Sequence, residues 1–483
     1  MQNIFEVDCK YHIEIQHTMA DQKAENTGSA SHNIPTPMSK ERISSAAISK
    51  IRFPFRLTKD QLDAVDEWIT NGYNGSIIYS TGTGKTEIAF ECARRAAIDL
   101  LGSSFTILFL VPRIVLVEQN IQRLLKYGVP KEHVGAYFGE RKEPREITIS
   151  TYQSAANNAH LIRNSDMIVF DEVHLVSNTA IRLSTIFDTI KKCDNPKRYL
   201  LGLTATIDEQ DPRYETVLSL MPPVKKYMIK EAVRDKRLAK PVVVPVKVHL
   251  TYEEKKMYDE YSRKIRSISA YLKTSDPKSI SSFLTKRGHI AALARTWFAN
   301  VKDRKKLMSC AHNKLAAATE VITKKHPSER IMIFSETIES IQRLQEVLHS
   351  KGINSEIISA KLKSGERLKI LSEWGREFFA LLSVHTLEIG YDVPEVRVAV
   401  ILASTSNMNQ IVQRIGRIIR NSEGKENALI YNVYLSDTQD VSTLKRVRRA
   451  ADTGPEDLSM EERLNTSGIR KPQLNRNLDE YFF

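Results

Sequence analysis

Four cysteines in 483 residues, Cys9, Cys92, Cys193 and Cys310, stand far apart and never at C-x₂-C spacing. That pattern excludes a disulfide scaffold and argues against a zinc or iron–sulfur centre. No run of 18 apolar residues occurs, so no transmembrane helix is expected. Asp8 and Lys10 fall where a signal peptide needs an unbroken apolar core, so secretion is not expected. The expected setting is a reducing interior, which in a prokaryote means the cytoplasm and its nucleoid. Acidic residues are in deficit: 58 Asp and Glu face 71 Lys and Arg, a net charge of +13. A soluble chain this basic is expected to meet a polyanion, and nucleic acid comes first.

Apolar content of 41% is enough for two to four domains with real cores. Residues 1–50 are rich in Ser, Ala, Asn and Gln, show little periodicity, and read as a disordered extension. Met1 and Met19 are both candidate starts. From about residue 51, short apolar runs alternate with helical stretches. The runs 76–80 (SIIYS), 106–111 (TILFLV), 147–150 (ITIS), 167–170 (MIVF) and 199–203 (YLLGL) have the composition of buried parallel strands. A second set begins near residue 330: 331–334 (IMIF), 355–359 (SEIIS), 380–384 (ALLSV), 398–402 (VAVIL) and 428–433 (ALIYNV). The pattern predicts an α/β chain of two tandem doubly wound parallel-sheet lobes. The first lobe is expected over 51–245, a helical insert over 246–325, the second lobe over 326–450, and a flexible tail over 451–483.

Two short segments carry the chemistry. Residues 81–87 (TGTGKTE) follow a strand and open a helix. Gly82, Thr83 and Gly84 would let backbone amides fold around phosphate oxygens, with Lys85 a point charge on them and Thr86 a hydroxyl for Mg²⁺. The helix would aim its positive end at the same place. The full phosphate-loop pattern wants glycine at position 79, where this chain has Tyr79. Asp171 and Glu172 follow the strand 167–170, at the carboxyl edge where such sheets present ligands. Asp171 would hold Mg²⁺ and Glu172 would activate the attacking water, with His174 a coupling residue. Thr58 and Gln61 fit a helix capping box; Gln61 is equally suited to bond an adenine ring, and both readings stand.

In order along the chain, these segments resemble the motifs of superfamily 2 helicases. The phosphate loop and the 171–174 box (DEVH) match motifs I and II. Residues 111–113, 150–154 and 203–206 resemble motifs Ia, Ic and III; 389–394 and 413–420 (QRIGRIIR) resemble motifs V and VI. DEVH in place of DEAD, and Gln413 opening motif VI, make the chain most similar to XPB-type DNA helicases of the short archaeal kind. The resemblance implies two RecA-like lobes closing on ATP, with Arg417 and Arg420 crossing over to stabilise charge on the transferred phosphoryl group. It implies coupling roles for Thr204, Thr206, Gly390, Asp392 and Gln413. It also implies backbone contacts to nucleic acid from Arg113, Thr151, Gln153, Ser335 and Thr386. A thumb-like role follows for the insert. The family's Arg-Glu-Asp triplet after motif III reads Glu209-Gln210-Asp211 here.

The expected activity is ATP-dependent DNA translocation or unwinding, 3′-to-5′ in direction by resemblance alone, and in repair. An RNA helicase, or the motor of a restriction or remodelling complex with a nuclease partner, are the alternatives. Asn475, Leu478, Tyr481 and Phe482 resemble a sliding-clamp-binding peptide. The basic runs 225–240, 302–306 and 445–449 are candidates for nonspecific grip. Phosphate contact predicts that affinity for DNA falls steeply with salt; a flat log–log plot of affinity against salt would count against it.

Overall fold

The computed structural model describes residues 46–99, 105–177, 180–192, 198–207, 209, 211–359, 362–384, 396–403, 408–422 and 424–451. The clamp-like peptide, Thr386, Gly390, Asp392 and residues 1–45 lie outside the described residues. The end of the N-terminal extension is ordered: a single helical turn, Ala47–Lys50, buries Ala47 and Ile48 in the first lobe. Its Ala47 N–H donates to Glu146 Oε1 at 2.6 Å.

The first sheet has eight strands: β1 (Asn74–Tyr79), β2 (Ile107–Val111), β3 (Val134–Phe138), β4 (Arg141–Glu143), β5 (Ile147–Thr151), β6 (Met167–Asp171), β7 (Tyr199–Thr204) and β8 (Pro223–Tyr227). Their spatial order is β4-β3-β5-β2-β6-β7-β1-β8. All pairings are parallel except β3 with β4. Helices cover both faces: β2 is apolar throughout, and β2 and β5 are buried at every position, β5 with Thr148, Ser150 and Thr151 among its residues. This layout sets the site. The carboxyl ends of β1, β7 and β6 lie side by side, so the phosphate loop, Thr204 and Asp171 share one edge.

The second sheet is wholly parallel, with β9 (Lys240–Val248), β10 (Ile331–Ser335), β11 (Ser355–Ser359), β12 (Ala380–Val384), β13 (Val398–Ile401) and β14 (Asn427–Leu435). The order is β11-β12-β10-β13-β14-β9. A boundary at residue 245 is therefore misplaced. It cuts β9, which pairs along its whole length with β14 and belongs to the second lobe. The insert is also shorter than 246–325. The helix His312–Glu320 packs into the second lobe's core through Leu315 and Ala318. The insert proper is Tyr252–Leu272, Pro277–Ser282 and His289–Ser309, with a core of its own.

That small core centres on Trp297, which is fully buried and donates from Nε1 to Ser269 Oγ at 2.8 Å. Trp297→Ala should cost about 3–5 kcal/mol locally. Hydrogen exchange is expected to show lost protection over residues 252–309, with the strands of both lobes retaining theirs.

Candidate functional site

Strand β1 ends in a loop that can be followed atom by atom. Gly82 and Gly84 sit at φ +87° and +84°, the left-handed region that glycine enters without penalty. A Cβ on Gly84 would also lie 2.3 Å from Gln61 Nε2. The Thr83 hydroxyl donates to Ser80 O at 2.7 Å. The Thr83 carbonyl accepts from Gln61 Nε2 (3.1 Å) and Arg237 Nη2 (2.7 Å). The Lys85 ammonium, at the first turn of the helix Lys85–Asp99, donates to Tyr79 O at 3.1 Å.

Gln61 fulfils the capping reading and also ties down the phosphate loop. Its Oε1 accepts from Thr58 N–H at 2.9 Å, while its Nε2 holds the phosphate loop. Tyr79, where the motif wants glycine, is buried and bonds Asp60 O at 2.7 Å.

The acidic pair closes the other side. Burial first, and the Glu172 carboxylate second, hold Asp171 well above the usual carboxylate range, against the pull of Lys85. Glu172 sits at φ 54°, ψ 51°, a left-handed conformation uncommon for a residue with a side chain. Its Oε2 is buried without a hydrogen bond among the described residues, 3.3 Å from His174 Nδ1. Burial lowers His174, so the ring is neutral, and its tautomer follows from its partner. Thr204 Oγ1 gives its one proton to Thr206 O (2.8 Å) and accepts from Thr206 N–H (3.1 Å). The contact with His174 Nδ1 at 3.0 Å is then donated by the imidazole. Glu172, His174, Thr204 and Thr206 form one continuous chain, which unites three of the expected coupling residues.

The second lobe completes the cavity, of about 420 Å³. It is lined by Gly82, Gly84, Lys85, Thr86, Asp171 and Glu172 from one side and by Arg420 and Asn421 from the other. Arg420 Cγ would stand 3.4 Å from a Cβ on Gly82. Arg420 lies beyond the end of the helix Met408–Ile418, in a bridge with Leu238. Arg417 is buried one turn earlier and is not among the lining residues. Gln413 is buried in the same helix. Arg414 turns into the second lobe, where it pairs with Glu336 at 2.9 Å.

Three residues join the site that no motif announced: Arg123, Arg237 and Asn421. Arg237 belongs to the basic run 225–240, read as grip on nucleic acid. In the fold three of its cations pair outside the run, while Lys230, Arg234, Lys236 and Lys240 stay exposed. Lys225 pairs with Glu67, Lys226 with Glu209, and Arg237 with Asp60 and the phosphate loop. Asp211 is likewise engaged, holding Arg213.

Of the residues expected on nucleic acid, Arg113, Thr151 and Gln153 line one cleft of about 620 Å³ with Tyr137, Lys142 and Asn158. Ser335 does not join them. It is fully buried, its hydroxyl 2.6 Å from Ser340 Oγ, with no surface to offer a phosphate.

The donor set suits Mg²⁺ better than a protein-caged metal. No group of three or more His, Cys, Asp or Glu residues that could by itself hold a metal ion occurs among the described residues. A half-buried carboxylate pair beside a phosphate loop is the environment in which Mg²⁺ is shared between one or two carboxylates and substrate phosphates.

Comparison with known proteins agrees with this geometry. A family model described as type III restriction enzyme, res subunit, matches residues 54–209, and one described as helicase conserved C-terminal domain matches residues 313–422. The chain is 26% identical over 412 residues to a protein named DNA 3′-5′ translocase XPB2 of Sulfurisphaera tokodaii, covering 82% of this chain and 87% of that one. It is 26% identical over 398 residues to DNA 3′-5′ helicase XPB of Mycobacterium tuberculosis, covering 79% of this chain and 62% of the relative. It thus spans less than two thirds of the mycobacterial protein. The Pyrococcus furiosus Hef helicase domain shares the fold with a TM-score of 0.53 at 20% identity, over 80% of this chain and 99% of that one. No helix among the described residues is long and apolar enough to cross a membrane.

The lobes meet closely at Gly416, where an added Cβ would stand 2.5 Å from Thr81 Cβ. Gly416→Ala should therefore hold Arg420 away from Lys85. Turnover of ATP is expected to fall about tenfold or more, since a catalytic group displaced by ~1 Å can cost 10²-fold, while ATP binding to the first lobe persists. Thr81→Gly in the same chain should restore part of the rate, as steady-state kinetics on the two variants would show.

Proposed function

The chain belongs with the XPB-like superfamily 2 helicases, and from that premise we propose that it is an ATP-driven motor on DNA, moving 3′-to-5′ and serving repair. The observation that carries this reading is the composite cavity: Lys85, Asp171 and Glu172 face Arg420 across the two lobes. ATP would lie there with its phosphates in the loop of Gly82 to Thr86. Thr86 and Asp171 would hold Mg²⁺, which when bound neutralises charge on the β- and γ-phosphates. Lys85 places a positive charge on the same oxygens, and Glu172 orients and deprotonates the attacking water. Arg420 reaches the developing phosphoryl charge with a rigid guanidinium fork. Gln61 fixes the loop and would recognise the base. Arg417, buried in the helix behind Arg420, would support it.

The strand would run across the cleft of Arg113, Thr151 and Gln153, held by its phosphates and so read without regard to sequence. Translocation without strand separation is a second reading, favoured by the internal pairing of both Glu209 and Asp211. Strand displacement from a forked duplex is the assay that separates the two. A sliding clamp bound through Asn475, Leu478, Tyr481 and Phe482, a nuclease partner, and a place on the nucleoid belong to the same proposal; the first rests on the tail's sequence alone.

Lys85→Ala and Glu172→Gln should each abolish DNA-stimulated ATP hydrolysis. Glu172→Gln should still bind ATP, because the phosphate and Mg²⁺ contacts of the loop and of Asp171 remain. Normal turnover in either variant, measured by phosphate release, would refute the assignment.

A further inference from the structure

Thr151, Tyr152 and Gln153 follow one another at the end of β5, yet they face two different places. Thr151 and Gln153 line the cleft assigned above to nucleic acid. Tyr152, between them, is buried and turned inward. Its ring stacks on Phe170, with centroids 6.3 Å apart, and its hydroxyl donates to the backbone carbonyl of Asp171 at 2.7 Å. In the sheet, β2 stands between β5 and β6, so this side chain passes over the end of one strand to reach the next.

The atom it reaches matters. The carbonyl of Asp171 and the amide nitrogen of Glu172 belong to one rigid peptide plane. The orientation of that plane sets φ of Glu172, which is 54°. A residue with a side chain stays in the left-handed region only where its surroundings hold it there. On its far side Glu172 is met by His174, itself tied to Thr204. On the cleft side, the hydroxyl of Tyr152 is what grips the plane.

We propose that Tyr152 is a positioning residue that couples the two sites: a strand seated on Thr151 and Gln153 sets the Asp171–Glu172 peptide plane through the Tyr152 hydroxyl, and so stimulates ATP hydrolysis. The inference rests on the reading of the cleft and cavity given under Proposed function. It adds that the signal between them passes through one hydrogen bond. Occupancy of the cleft favours the setting of the turn in which Glu172 addresses the attacking water; by linkage, the nucleotide state alters strand affinity through the same contact.

Tyr152→Phe keeps the ring and its stacking and removes only the hydroxyl. The quantity to measure is the ratio of ATP turnover at saturating single-stranded DNA to turnover without DNA, alongside DNA affinity by fluorescence anisotropy. The ratio is expected to fall about tenfold, within the 5–150-fold range typical of intersite coupling, while DNA still binds. Gln153→Ala should behave oppositely, with weaker DNA binding but a full ratio once DNA is saturating. A ratio in Tyr152→Phe equal to that of the unaltered protein would overturn the proposal, even if both rates fell together, because that marks a purely structural role. An unaltered protein whose ATP turnover ignores DNA would instead defeat the underlying reading of the motor.

Discussion

The approach of Gly416 to Thr81 is the contact on which the composite site depends. No side chain fits between the two lobes at that point. Around it the junction is built largely from backbone. Leu238 bridges Arg420, Ala239 N–H donates to Ile419 O at 2.8 Å, and Asn421 Nδ2 donates to Lys236 O at 2.7 Å. The Lys425 ammonium, itself buried, gathers the carbonyls of Val396, Ile418 and Arg420. One cation thus closes the carbonyl end of the helix Met408–Ile418, where it also complements the helix dipole. Arg420 enters the cavity from a segment fixed at several points, so its guanidinium arrives with little freedom left to lose.

Charge explains why such a site is assembled from two lobes. Lys85, Arg123, Arg237 and Arg420 surround a small volume also lined by Glu87 and by the half-buried pair Asp171 and Glu172. Arg237 is anchored by Asp60 and the Thr83 carbonyl, and Arg123 lies 3.6 Å from Glu87. Cations so placed suit a polyanion that bridges the lobes, and a triphosphate with its metal meets that demand. Asp171, pushed up by desolvation and by Glu172, is correspondingly suited to a divalent cation. Arg420 already stands against the phosphate loop through the close approach of Gly416 to Thr81, so the two lobes present their cations to one volume.

Much of this was legible in the sequence, for a physical reason. Strands buried on both faces must be apolar at every position, so β2, β6, β10 and β12 announce themselves as short unbroken runs. The strands missed are those that escape that rule. The pair β3 and β4 is short and partly exposed, and β8 carries two lysines. Strand β9 (KPVVVPVKV) contains Pro241 and Pro245, which speak against a central strand. It lies at the sheet's edge, beside β14 alone, where proline is tolerated. The phosphate loop and acid pair were readable because their chemistry needs fixed residue types at fixed spacing. Arg123 and Arg237 were not. Each is one arginine in an ordinary helix or basic run, and only the fold brings it to the cavity. Ser335 failed in the opposite sense: its motif position was clear, but its hydroxyl is spent on Ser340.

The departure at Tyr79 shows how a motif can lose a glycine and keep its function. The cradle needs left-handed backbone at two places, and those are Gly82 and Gly84. Position 79 is the last residue of β1, still extended and paired with Tyr227, so nothing there demands glycine. The side chain gained is put to use. The Tyr79 ring stacks on Tyr227 with centroids 5.1 Å apart, and its hydroxyl bonds Asp60 O at the start of the helix Lys59–Thr70. That helix carries Gln61, which holds Thr83, and Asp60, which holds Arg237. Burial keeps the Tyr79 phenol far above its ordinary value, so it remains a donor wherever the protein is folded. The residue that breaks the pattern is therefore the one that ties the phosphate loop to the helix carrying Gln61 and Asp60. A smaller residue there would leave the cradle's backbone intact and its alignment with Gln61 and Arg237 loose.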